Sequence, residues 1–299
     1  MASISWNPTS QDREPYVKPE EVYYGSTGST SAPLKLRIAT GGAGQSGLVR
    51  ALADAFIDDQ VKRTGCEPFS VGWLKSDTSA SFNYLAQAAA DLSITYHGVA
   101  EETAIAQGIA DRRVYAWRDH FMLVGPKSNP AQLSTDGTTP IETLFTQLFR
   151  AAVASNNSIR FLTRFDKSAT NIKESHVWAA IGQTPWSYPY SFWYHVVPMF
   201  PFQALEAAAK LGEYSLVDWG TWNGVQDFVR KEMIVYLLGK DDTPEMLNPA
   251  RVLVGTHARN KEVANAFADW MIRDDGGQKV VEGFAINGVV LYSKAPKEG

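Results

Sequence analysis

The order of elements between Leu34 and Tyr96 constrains the fold more than any other feature of this sequence. "LKLRIAT" reads as a short strand, and "SGLVRALADAFIDDQVKR" as a helix with Leu48, Leu52 and Phe56 on one face. "PFSVGWL" is a second strand, "SASFNYLAQAAA" a second helix and "DLSITY" a third strand. A β-α-β-α-β run of this kind builds a parallel sheet covered by helices. Ser46 is the expected N-cap of the first helix, Lys62 and Arg63 occupy its last turn, and Gly65 stops it. Residues 1–33 mix Pro, Ser, Gly and charge without a period and read as an extended arm before the folded body.

The chain's 299 residues, 44% of them hydrophobic, suffice for two cores. "RVYAWRDHFMLVGP" is long for a strand and reads as a crossover between two lobes. The expected division is lobe one over 34–122 plus 251–299 and lobe two over 123–250. In lobe two, Thr139-Pro140-Ile141-Glu142 has the form of a capping box opening the next helix.

Several classes of function are excluded by composition. With a net charge of -4 and no dense Lys/Arg run, the chain lacks the cation density of a nucleic-acid surface. No apolar stretch approaches the roughly 20 residues that span a bilayer, so no membrane insertion is expected. The polar start lacks the apolar core of a signal peptide, which suggests a cytoplasmic protein; the alternative is an exported mature domain whose leader has been removed. Cys66 is the single cysteine, so neither an intrachain disulfide nor a thiolate zinc cluster can form.

Gly42-Ala43-Gly44-Gln45-Ser46-Gly47 spells the G-x-G-x-x-G of a dinucleotide-binding turn. That chemistry also needs a carboxylate about 20 residues further on to hold the ribose, and Asp77 lies well beyond that distance. A nucleophile elbow fails because Leu48 stands where its last glycine belongs, and no Gly-Lys-Ser/Thr follows to make a phosphate loop. Two readings remain: a tight strand-to-helix turn without a ligand, or backbone N–H groups converging on a small anion.

Two further loops favour the second reading. "FLTRFDKSATN" offers Thr163, Arg164, Ser168 and Thr170 between a strand and a helix, and "LKSDTSASF" brings Lys75, Ser76, Thr78 and Ser79 to a helix start. A guanidinium fork and rotatable hydroxyls suit a compact oxyanion. Each loop alone reads as capping plus a solvated charge; three in corresponding positions point to a shared cleft.

"TPWSYPYSFWYHVVPMFPF" concentrates aromatic residues. The alternation of Trp186, Tyr188, Tyr190, Phe192 and Tyr194 fits a half-buried strand or interlobe cover, and equally a stacking surface for a planar or methylated cationic ligand. The five histidines show no metal-ligand spacing, no Ser-His-Asp arrangement is evident, and no metal or cofactor is expected. The expectation is a monomeric, non-enzymatic binding protein. The alternative is an enzyme on the same fold with His97 or Asp218 as its acid/base.

From about Leu34 to Tyr292 the chain resembles the class II periplasmic binding proteins, in particular the tungstate-binding component of bacterial ABC transporters. The resemblance rests on "SGLVRALADAF", on "ITYHGVAEETAIAQGIADRRVYAWRDHFMLVGPKSNPA", on "FLTRFDKSAT" as the anion loop, on "EYSLVDWGT", and on the closing "LNPARVLV" and "FADWMIRDDGGQKVVEGF". It implies an α/β fold of two lobes, each a mostly parallel sheet flanked by helices, joined by a two-strand hinge that closes on an oxyanion. It also implies a transporter membrane component as partner. Carried over by position, Thr163, Arg164, Ser168 and Thr170 fall in the anion loop, and Thr40 begins the first ligand loop. His97, just after the third strand, and Asp218 after "EYSLV" are further candidates for the ligand-binding cleft. Gly41, Gly42 and Ala43 stand where the family has hydroxyl residues, Ala169 replaces a glycine, Trp219 replaces an arginine, and "HVVPMFPFQ" stands where a Gly-rich turn is usual. Fewer side-chain donors and more apolar surface imply a larger pocket with aromatic walls.

Overall fold

The computed structural model describes residues 17–187 and 191–297. In chain order the first strands are β1 (Glu21–Tyr23), β2 (Leu34–Thr40), β3 (Ser70–Lys75), β4 (Leu92–Thr95) and the long β5 (Ala110–Pro126). They are followed by β6 (Phe161–Thr163), β7 (Tyr194–Val196), β8 (Ser215–Asp218), β9 (Met233–Leu238) and β10 (Leu247–Gly255). Helices α1 (Gly42–Gln45), α2 (Leu48–Thr64), α3 (Thr78–Ala86) and α4 (Gly98–Ala106) belong to the first half. Helices α5 (Ile141–Ala154), α6 (Ala169–Ala180), α7 (Pro201–Leu211) and α8 (Trp219–Gly224) belong to the second.

Lobe one is a sheet in the order β1-β3-β2-β4-β10-β5. β2 runs parallel to β3 and β4, as consecutive βα units require, whereas β10 returns antiparallel between β4 and β5. β3 and β4 are buried along nearly their whole length, which is why they read as continuous apolar runs and not as alternating ones. Leu36, Ile38, Phe56, Val71, Trp117, Phe267 and Trp270 build the core of this lobe.

β5 belongs to both lobes. Its first part pairs with β10, and from Phe121 onward it pairs with β8 on one side and β9 on the other. The second sheet continues through β8 to β6 and β7, because Leu162 N donates to Tyr214 O at 2.7 Å and β6 lies parallel to β7. Pairing of Leu247–Ala250 with Trp117–His120 begins the return to lobe one before the expected boundary at 251. β5 and the stretch from β9 to β10 are thus the two connections between lobes.

Three local expectations are corrected. Glu21–Tyr23, expected within an extended arm before the folded body, is part of that body as an edge strand antiparallel to β3, held by the buried ring of Tyr23 with Arg50 5.0 Å above it. Gly47, in left-handed conformation, precedes α2, while Ser46 ends the short α1 and its hydroxyl meets Tyr292 Oη at 3.0 Å. α5 begins after Pro140 without a side-chain cap, because the Thr139 hydroxyl is engaged by Asp136.

The described part of the aromatic segment divides: Trp186, Trp193 and Tyr194 belong to the core of lobe two, whereas Phe192 is exposed. Trp193 and Tyr194 are buried and Trp186 packs against the same cluster; Trp178 lies 4.8 Å from Trp193 and 4.4 Å from Phe145. Tyr188 and Tyr190 lie outside the described residues.

Candidate functional site

A cavity of about 280 Å³ lies between the lobes, and its walls come from the loops that follow strand ends. The turn after β2 contributes Gly41, Gly42, Ala43 and Gln45; the turn after β3 contributes Ser76, Asp77 and Thr78. Lobe two contributes Arg164 and Ser168 from the loop after β6, Thr170 from the first turn of α6, and Asp218 from the end of β8. Ligands of open α/β sheets sit beyond the carboxyl ends of the strands for a simple reason: the helix N-termini that follow present unpaired N–H groups there.

Glycine is needed where the first two turns meet. A Cβ on Gly41 would lie 2.7 Å from the Ser76 carbonyl oxygen, and one on Gly44 would lie 2.0 Å from the Trp73 ring. Trp73 in turn ties the end of β2 in place, its Nε1 donating to Thr40 O at 2.8 Å. Around Gly42 a Cβ would meet nothing within 4 Å, so this glycine serves the open cavity and not the packing. Of the glycines that spell a dinucleotide motif, Gly44 is required by its close approach to Trp73, and Gly42 borders open space.

In lobe two the loop after β6 is held by its own polar groups. The Arg164 Nε donates to Asp166 Oδ2 at 2.8 Å, and its Nη2 reaches the same oxygen. Asp166 Oδ1 accepts from Ser168 N at 3.1 Å, and Ser168 caps α6 by accepting from Asn171 N at 3.2 Å. Phe165 and Lys167 adopt positive φ, so the loop is bent sharply around the guanidinium. No hydrogen bond within the described residues engages the hydroxyls of Thr78 or Thr170, both more than nine-tenths buried at the cavity wall.

Four of the expected site residues do not reach the cavity, each for a visible reason. The Thr40 hydroxyl donates to Ile94 O at 3.0 Å, binding β2 to β4 behind the wall. The Thr163 hydroxyl faces Glu174 below the loop. His97 caps α4, with Nδ1 accepting from Ala100 N at 3.2 Å; burial and the nearby Lys173 push its imidazolium below the ordinary range. Ser79 sits in the first turn of α3 outside the lining. Gly41, Gly42, Ala43, Ser76, Thr78, Arg164, Ser168, Thr170 and Asp218 do converge on one cavity.

The remaining wall residues include the segment that departs from the resembled family. Pro198, Met199, Phe200 and Pro201 form an apolar side, so "HVVPMFPFQ" supplies the aromatic wall, with Lys75 Nζ 4.0 Å from the Phe200 ring. Trp219, standing where the resembled family has arginine, packs on the apolar clusters of both lobes and donates Nε1 to Val290 O at 3.1 Å. Tyr96, Asp119, Asn248 and Tyr292 make the wall nearest the hinge. Asp119 is pushed well above the usual carboxylate range by burial and by the charge of Asp218. Asp77 and Asp218 cap α3 and α8, so each carboxylate has helix N–H partners. Among the described residues no group of three or more His, Cys, Asp or Glu could hold a metal ion, and no helix is long and apolar enough to cross a membrane.

Comparison with known proteins agrees with this geometry. Residues 26–275 match the PBP superfamily domain. The chain belongs to that superfamily. A crystal structure of a candidate periplasmic metal-binding protein is 49% identical in sequence, with 93% of this chain and 100% of that one covered at a TM-score of 0.85. A candidate ABC-transporter anion-binding protein of Haloferax volcanii is 26% identical over 286 residues, which is 90% of this chain and 80% of the relative. The tungstate-binding protein TupA of Desulfovibrio alaskensis G20 has a TM-score of 0.67 at 20% identity, covering 89% of this chain and 100% of its own, a likeness of fold.

Proposed function

We propose that the chain is a solute-binding protein that captures a small oxyanion or small organic anion between its lobes and delivers it to an ABC-transporter membrane component. The observation that carries this reading is Arg164 at the wall of the interlobe cavity, beside the start of α6 and the unengaged hydroxyl of Thr170. An arginine held by a neighbouring carboxylate keeps its charge and its planar fork, and the helix start adds backbone donors. The anion-binding Haloferax relative and the tungstate-binding neighbour support the same ligand sign. Few side-chain hydroxyls and an apolar side make the pocket better suited to an anion carrying a carbon skeleton than to a bare tetrahedral one.

The reading is non-catalytic: His97 is spent on the cap of α4, and both oxygens of Asp218 accept from Thr221. Delivery to a transporter would place the working protein outside the cytoplasm. Native mass spectrometry of the purified protein, followed by thermal-shift measurement with tungstate, molybdate, sulfate, phosphate and small carboxylates, tests the reading. A bound or stabilising anion that leaves unchanged is expected. A ligand that is chemically converted, or stabilisation by neutral or purely cationic compounds alone, contradicts it.

A further inference from the structure

The anion reading leaves the hinge wall of the same cavity without a role. Asp119 on β5 and Asn248 on β10 are register partners, and Asn248 Nδ2 donates to Asp119 Oδ2 at 3.0 Å. Asp218 stands two residues along β5, opposite Phe121. Both carboxylates accept backbone donors, His120 N for Asp119 and Thr221 N for Asp218, but neither forms an ion pair among the described residues. The basic side chains that flank Asp119 in sequence are turned away: Arg118 and His120 both meet Asp241, at 3.0 and 2.8 Å. A buried carboxyl, Asp119, and a partly buried one, Asp218, thus face the same wall with no basic side chain paired to either among the described residues, and a cation placed between them would favour the ionised form of both.

A separate observation points the same way. Asn248 is only 4% exposed and lines the cavity, yet its Oδ1 has no hydrogen-bond partner. A buried acceptor left unpaired forfeits the hydrogen bonds it would make in water. Tyr96 and Tyr292, packed on Trp117 at 6.3 and 5.8 Å, add ring faces and phenol oxygens. Carboxylates, an amide oxygen and aromatic faces all favour the same guest, a positively charged group that only donates hydrogen bonds. An ammonium has three N–H donors and no acceptor, and it is attracted to aromatic faces.

We infer that the hinge wall binds a protonated amine, so that the solute is an amino-substituted small oxyacid held by Arg164 at its anionic end and by Asp119, Asp218 and Asn248 at its ammonium. This rests on the interlobe cavity being the solute site. A bare divalent metal fits less well: no set of three or more His, Cys, Asp or Glu is grouped to hold one among the described residues, and Met199 and Phe200 offer it nothing.

Calorimetric titration with matched pairs tests the inference: taurine against ethanesulfonate, and 4-aminobutyrate against butyrate, on wild type, Asp119→Asn and Asp218→Asn. The aminated member of at least one pair is expected to bind about ten-fold more tightly, the scale of one hydrogen bond to a charged group. That preference should collapse in at least one variant whose melting curve shows it folded. Asn is itself a good N-cap, so Asp218→Asn keeps the start of α8, and Asp119→Asn provides a second route if it does not. Equal or tighter binding of the amine-free members, a preference unchanged in both variants, or Zn²⁺ or Mn²⁺ excluding the aminated probes would each overturn the ammonium site while leaving the anion reading standing. Failure of every probe and of the inorganic oxyanions would overturn both.

Discussion

Lys75, at the end of β3 in lobe one, places its Nζ 4.0 Å from the ring of Phe200 at the start of α7 in lobe two. This is a cation–π contact across the mouth of the cavity, and it links two residues with no other reason to meet. A contact of this kind contributes about 0.5–1 kcal/mol at an exposed site. Lys75→Met or Phe200→Leu should therefore weaken solute binding by about two- to five-fold. The double variant should lose no more than the larger single effect. Additive losses in a double-mutant cycle would show that the pair does not act across the cleft.

The glycines of the first turn separate packing from binding. Gly44→Ala drives a methyl into the Trp73 ring and should cost about 1–3 kcal/mol of stability, the usual range for overpacking. Gly42→Ala meets no protein atom and should change stability by less than about 0.5 kcal/mol. Its methyl faces the cavity, however, and should weaken solute binding. Denaturant unfolding and titration of both variants check the contrast; equal destabilisation by the two would contradict it.

Glu174 lies buried beneath the loop after β6, accepting from Asn171 Nδ2 at 2.8 Å, with the Thr163 hydroxyl against the same oxygen. Burial pushes its carboxyl from 4.5 up to about 8, and the hydrogen bonds only partly offset that. Between those values the folded chain binds more protons at this site than the unfolded chain. Stability from Glu174 is therefore full below 4.5 and is lost as pH rises through about 8, a change on the order of a few kcal/mol. Melting temperatures of wild type and Glu174→Gln from pH 4.5 to pH 9 should diverge, with the variant gaining on wild type toward high pH. Parallel curves would rule the effect out.

The parts of this site that were legible in the sequence are those built within single strand-turn-helix units. Arg164, Ser168 and Thr170 fall within one loop and the helix start that follows it, and Ser76 and Thr78 flank a helix cap, so local spacing predicts both. The β-α-β-α-β order likewise predicts the parallel core of lobe one. The hinge wall is different in kind. Asp119 and Asn248 are 129 positions apart and meet only through the register of β5 with β10, while Tyr292 arrives from the end of the chain. Both lie in segments that read as connections between lobes, and neither segment's local spacing marks the residue as a ligand. The misplaced hydroxyls teach the converse: Thr40 and Thr163 sit at strand ends as expected, but each has a stronger claim on its proton from a buried acceptor, Ile94 O and Glu174. Trp186, Trp193 and Tyr194 look like a binding surface by composition and fill the core of lobe two.

The central claim, an anion held between the lobes by Arg164, is tested most directly by calorimetric titration of wild type, Arg164→Ala and Arg164→Lys with tungstate, molybdate, sulfate, phosphate and small organic anions. Because Arg164 is tied to Asp166, its removal also leaves that carboxylate unbalanced in the cavity, so Arg164→Ala/Asp166→Ala is titrated beside it. Arg164→Ala should weaken binding by about 1.5–3 kcal/mol, the double variant somewhat less, and Arg164→Lys should recover only part of the loss because an ammonium lacks the planar fork. Unchanged affinity in Arg164→Ala, or a wild type that binds only neutral or purely cationic compounds, would contradict the account.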